Sequence, residues 1–220
     1  MAVQIKNLTK EQIDNICRAI GDSFYDHDYG DNEKGIAKYI TDREMMFRYM
    51  RAIFVAGVKS GTVYSTSERG EGYIMLCGSK WEKIKFGPAI VMMKDMIKAL
   101  GGFRNTIQFF KTIQAGGIAL DDKFKKEKKD FLKVEMLVVR KEYQGQGYMR
   151  RLMDIAYEKA DAYKVPCILD TDAKNKLHKY CHLGMRHVAT RKIAGDCYLY
   201  DLRRGYRFEN PMAGNIYIAH

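Results

Sequence analysis

The stretch that most constrains this chain runs from Phe131 to Asp172, where a strand pattern, a glycine-bearing loop, a helix pattern and a second strand pattern follow in direct succession. FLKVEMLVV is a β-branched and apolar run, YMRRLMDIAYEKADAYK carries apolar residues at helical spacing, and CILDTD is again a short apolar run. NKLHKYCHLGM then predicts a short helix, and MRHVATRKIAG with DCYLYDL a closing hairpin. Strands that alternate with helices and end in a hairpin require an α/β or α+β sheet of mixed direction.

The upstream half must complete that sheet. Thr9, with Gln12 three residues on, predicts a capped first helix whose apolar face is Ile13, Ile16, Cys17, Ile20 and Phe24. An acidic and aromatic connector, SFYDHDYGDNEKG, precedes a second helix expected from about Ile36 to Val58, and TVYSTSERGEGYIMLCG predicts a hairpin. From Pro88 to Gly117 two helical patterns flank Gly101-Gly102, and the run KFKKEKKD, 123–130, predicts a solvated connector. At 220 residues the expectation is one domain over 1–220, with a helical insertion at about 88–128 before the central strand and a C-terminal tail at 203–220.

Composition narrows the function classes. With 46% hydrophobic and 30% charged residues the chain is not disordered, and without an apolar run near 18 residues no membrane span is expected. The start, MAVQIKNLTKEQ, lacks the apolar core of a secretory signal, so the expectation is a cytoplasmic protein with no membrane partner. Five cysteines without a CxxC pair argue for reduced thiols. The net charge of +11 is spread along the chain and no RNA-binding signature accompanies it, so nucleic acid is not an expected partner. His178 and His182 would share a helix face, yet nothing completes a metal site, and no metal is expected.

The loop Arg140-Lys141-Glu142-Tyr143-Gln144-Gly145-Gln146-Gly147 lies between strand and helix. Glycines there let backbone amides approach an anion, and a helix N-terminus adds partial positive charge. It is neither a Walker loop nor a dinucleotide fingerprint, and on spacing alone a structural turn explains it equally well.

LVVRKEYQGQGYMRRLM resembles the acyl-CoA-binding signature of GNAT-type N-acetyltransferases: Leu137 and Val139 fill the strand places, Gln144 and Gly147 the loop places, and Met149 stands where the family has Gly or Ala. Tyr180, Gly184 and Met185 resemble the second signature, and Leu169-Asp170-Thr171, ten residues before the helix tyrosine, is similar to the puromycin N-acetyltransferase-like branch. The resemblance implies a mostly antiparallel, splayed sheet flanked by helices, with the pantetheine arm of acetyl-CoA along Leu137, Val138 and Val139. It places the pyrophosphate at Gln144, Gly145, Gln146, Gly147, Tyr148 and Met149, with Arg150, Asn175 and Lys179 as further contacts to the cofactor.

The implied reaction is acetyl transfer to a primary amine, with a small-molecule acceptor preferred. A protein N-terminus or lysine acceptor and a non-catalytic CoA-binding module are the alternatives. Such a site must hold amine and thioester close, take a proton from the ammonium and return one to the thiolate. Tyr180 is the expected general acid, while Glu135 and Asp170 are both candidates for the base. Strand alternation would put Glu135 on the face of Leu137 and Val139. The cluster Asp22, Asp26, Asp28, Asp31 and Glu33, mixed with Phe24, Tyr25, His27 and Tyr29, would draw a cationic amine if it lined the acceptor cleft. The insertion is expected to serve as a lid or wall, as a homodimer contact, or simply as packing.

Overall fold

The computed structural model describes residues 2–30 and 35–207. Helix α1, Lys10–Tyr25, starts where expected: Thr9 Oγ1 accepts from the Gln12 amide at 3.2 Å, and Gln12 Oε1 accepts from the Thr9 amide at 2.8 Å. The expected second helix is divided. A 3-10 turn, Ile36–Tyr39, precedes α2, Arg43–Ser60, because Asp42 caps a fresh N-terminus by accepting from the Met45 amide at 2.7 Å. Strands β1, Val3–Gln4, β2, Val63–Ser65, and β3, Gly72–Gly78, follow one another across one edge of the sheet. The two-residue β1 carries too little pattern to be read from sequence.

The insertion consists of α3, Phe86–Ala99, α4, Phe103–Gln114, and α5, Leu120–Lys126, with Gly101 and Gly102 both at positive φ between the first two. Helix α5 corrects the expectation of a solvated connector. Leu120 and Phe124 bury on one face while Lys125 pairs with Asp121 and Asp122 on the other, so half of the lysine run is helical. Then come β4, Leu132–Val139, α6, Tyr148–Tyr163, β5, Cys167–Thr171, α7, Lys174–His182, β6, Arg186–Ala194, and β7, Cys197–Arg204. Asp31, Glu33 and most of the 203–220 tail lie outside the described residues.

The seven strands form one sheet in the order β1-β2-β3-β4-β5-β7-β6, in which β4 and β5 are the parallel pair. One apolar cluster packs α6 and α7 on one face, around Leu152, Met153 and Leu177, and a second packs α1 and α2 on the other, around Ile20, Phe47 and Phe54. Two irregularities in β4 create the site. It pairs with β5 only at Leu132↔Cys167 and Lys133↔Ile168, so the strands part beyond Lys133 and leave that edge of β4 unpaired. A bulge also places Met136 opposite Met75 but Val134 opposite Leu76, which leaves Glu135 as the extra residue. The bulge overturns simple alternation. Leu137 and Val139 pack toward the α6 cluster with Val134, whereas Met136 and Val138 pack toward α1 and α2, and Glu135 reaches Lys133 instead of sharing the face of Leu137.

Candidate active site

A cleft of about 1570 Å³ opens where β4 and β5 diverge. One end is the glycine loop. Gly145 and Gly147 have φ of +75° and +79°, and a Cβ built at either would meet no atom within 4 Å, so the space above the loop is open to a ligand. Gln144 Nε2 donates to the Val139 carbonyl at 3.1 Å and Gln146 Nε2 to that of Glu142 at 2.9 Å, so both glutamines brace the turn from within. No side chain caps α6, so the first-turn amides of Tyr148, Met149 and Arg150 are left for an anion. Met149 packs its side chain against the α6 core cluster, which reconciles a large residue with a tight helix start.

Leu137, Val138, Val139, Gly145, Gly147 and Lys179 all line the cleft, as do Gln144, Tyr148, Met149 and Arg150. Gln146 is not among the lining residues. Asn175 departs from expectation more clearly: its Nδ2 donates to the Asp28 carbonyl at 2.7 Å and its Oδ1 lies 3.2 Å from His27 Nε2. Its amide holds the segment after α1 instead of a cofactor.

The three candidate catalytic groups converge on the same cleft. Tyr180 is buried, and its hydroxyl has no hydrogen-bond partner among the described residues. Burial first, then the nearby carboxylates of Asp172 and Asp170, push its pKa above the usual tyrosine range. Such a phenol keeps its proton until a stronger base arrives. The two carboxylates differ in freedom. Asp170 is held at both oxygens, Oδ1 by Lys133 at 3.6 Å and Oδ2 by Arg191 at 3.0 Å, whereas Glu135 touches Lys133 through Oε2 at 3.4 Å and has a side chain 37% exposed.

Lys133 and Arg191 are residues that sequence reasoning missed. Lys133 sits among Glu135, Asp170 and Asp121, and although burial opposes its charge, those carboxylates raise its pKa, Glu135 foremost. Behind it, Arg191 is fixed to the fully buried Asp201 at 2.8 Å. Polar residues on strands gave the only signal, a lysine and a glutamate flanking Val134 and an arginine in β6.

The acidic aromatic connector also differs from expectation. Phe24, His27 and Tyr29 line the cleft, but Asp22 and Asp26 pair with Arg43 at 2.7 and 2.6 Å and the Asp28 carboxylate caps the Gly30 amide, so those acids do not face an acceptor. The carboxylate that meets this connector inside the cleft is Asp172. It accepts from Tyr29 Oη at 2.9 Å and the Ile36 amide at 2.8 Å, and lies 3.5 Å from Lys176, which closes this side of the cleft. His27 is held below the usual histidine range, by burial first and by Lys176 second. Among the described residues no group of three His, Cys, Asp or Glu is placed to hold a metal ion, and no helix is long and apolar enough to cross a membrane.

A parallel-strand splay, an open glycine loop heading a helix and a buried tyrosine thus meet in one cleft. Residues 112–184 match the acetyltransferase (GNAT) family model. The fold is shared with an N-acetyltransferase from Staphylococcus aureus, at 13% identity and TM-score 0.53, covering 93% of this chain and 100% of that one. It is shared likewise with a mosquito arylalkylamine N-acetyltransferase-like protein, at 13% identity and TM-score 0.57 over 93% and 100% of the two chains. A Drosophila melanogaster polyamine N-acetyltransferase aligns at 12% identity and TM-score 0.50 over 93% and 99%. No curated protein sequence matches. The match to the GNAT acetyltransferase family lies in residues 112–184, with the fold shared more widely, and the finer likeness to the puromycin branch rests on the spacing of Leu169-Asp170-Thr171 to Tyr180, with the SFYDHD segment and Trp81 as weaker signals.

Proposed function

We propose that this enzyme transfers the acetyl group of acetyl-CoA to a primary amine of a small molecule, by direct attack in a ternary complex. The observation that carries the reading is the continuity of three features in one cleft: the uncapped glycine loop, the unpaired edge of β4, and the Tyr180 hydroxyl beyond it. The loop and the first turn of α6 would take the pyrophosphate, and the edge of β4 at Leu137 to Val139 that β5 leaves unpaired would face the pantetheine arm. Structural neighbours that include an arylalkylamine N-acetyltransferase from Aedes aegypti and the Drosophila polyamine N-acetyltransferase support a small-molecule acceptor.

In the reaction the amine nitrogen attacks the thioester carbonyl carbon, the N–C bond forms and the C–S bond breaks. The proton lost by the amine passes to Glu135, directly or through one water. We assign the base to Glu135 over Asp170 because Asp170 has a cation on each oxygen while Glu135, 37% exposed, meets Lys133 through Oε2 alone. The Tyr180 hydroxyl protonates the departing thiolate. The part of the enzyme is mainly to hold two substrates in register.

Calorimetric titration with acetyl-CoA tests the first step. Binding with a dissociation constant near micromolar, about −8 kcal/mol, that disappears in Gly147→Glu supports the reading. An unaltered affinity in that variant, or no binding to the wild type, would sink it. Release of free thiol on adding amines then separates an enzyme from a module that only binds CoA.

A further inference from the structure

Given the acetyltransferase reading, we infer that the acceptor is a monoamine with an apolar, aromatic-sized tail, not a di- or polyamine. Beyond Glu135 the cleft is walled by Tyr49, Ile53, Phe110, Ile113 and Ile118. Phe110 and Ile113 belong to α4 and Ile118 follows it, so the insertion builds this wall. Tyr49 lines the same cleft as Glu135, and burial first, then that carboxylate, hold its phenol above the usual tyrosine range. An apolar tail gains by leaving water for such a wall, and a second ammonium would lose its hydration there.

Charge points the same way. Four carboxylates line the cleft and each has a cationic neighbour: Glu135 and Asp170 at Lys133, 3.4 and 3.6 Å away, Asp172 at Lys176, 3.5 Å, and Asp122 at Lys125, 3.0 Å. Lys126, Arg150 and Lys179 line it as well, so cations outnumber anions. Glu135 and Asp122 each meet a cation through one oxygen, and Asp122, with a side chain 51% exposed, is already paired with Lys125. One head group is accommodated at Glu135, and a second meets carboxylates already paired with lysines in a cleft where cations are in excess.

The test compares kcat/KM for phenethylamine and tryptamine with that for putrescine, agmatine and spermidine at one ionic strength, by thiol release. The expected result is a preference of at least about tenfold for the aryl amines, equivalent to about 1.4 kcal/mol. Ile113→Glu, which adds a carboxylate without a cation, should narrow that preference at least about tenfold. Ile118→Glu gives the same comparison at a rim residue 46% exposed, where folding is not at risk. Equal or better turnover of the polyamines overturns the inference and leaves the acetyltransferase reading standing. Turnover of neither class by a protein that binds acetyl-CoA also overturns the inference, and failure to bind acetyl-CoA overturns both readings.

Discussion

Replacing Arg191 with Met isolates the energetics beneath the site. Arg191 is 6% exposed and Asp201 is 0%, and the guanidinium meets Asp201 through Nε at 3.1 and 3.0 Å and Nη2 at 2.8 Å while Nη2 also reaches Asp170 at 3.0 Å. Breaking a buried pair from one side strands the other charge and costs about 3–5 kcal/mol. At about 2–4 °C per kcal/mol for a chain of this size, the midpoint of thermal unfolding should fall by about 6–20 °C. The double variant Arg191→Met/Asp201→Leu should recover most of that loss, because an apolar pair of similar volume needs no counter-charge. The loss should also depend on pH. Burial outweighs Arg191 and raises the Asp201 pKa above its ordinary 3.8. A carboxyl raised in this way contributes stability that is full below its unfolded pKa and is lost as pH rises through the folded one. Without Arg191 that folded pKa climbs further, so the gap between variant and wild type should be smaller at pH 5 than at pH 7.5. Thermal unfolding followed by tryptophan fluorescence or calorimetry at both pH values measures this. A drop below about 1 kcal/mol, or a double variant no more stable than the single one, would refute the buried-pair reasoning.

Gly147→Ala and Gly184→Ala place the same Cβ on left-handed backbone with open space around it, at φ +79° and +98°. Both should lose about 1–2 kcal/mol of stability, but only the first should weaken acetyl-CoA binding, as calorimetry would show. Tyr180→Phe should lower kcat by about 10²–10⁴-fold with acetyl-CoA affinity nearly unchanged; because the phenol is raised above the usual tyrosine range, no alkaline loss of wild-type rate from its ionisation is expected near pH 10. Glu135→Gln should reduce kcat by a similar factor, whereas Asp170→Asn should act more on thermal stability than on kcat, as paired turnover and thermal-unfolding measurements would show.

Much of this architecture was legible in local chemistry. The capping box at Thr9, the glycine break at Gly101-Gly102, the strand-loop-helix unit at Leu132 to Tyr163 and the closing hairpin each follow from turn residues and hydrophobic period, and these act over a few neighbours along the chain. The glycine loop and Tyr180 were visible for the same reason, since their residue types and spacing are properties of the sequence. Tertiary structure alone decided what depends on distant partners. The splay beyond Lys133 and the bulge at Glu135 arise from how β4 meets β3 and β5, so alternation within β4 could not say which face Glu135 takes. Asn175 turned toward His27 and Asp28, nearly 150 residues away, and Asp172 became the anchor for Tyr29. The charge set of Lys133, Asp170, Arg191 and Asp201 draws on four strands, and ion pairing between strands leaves no periodic trace in any one of them.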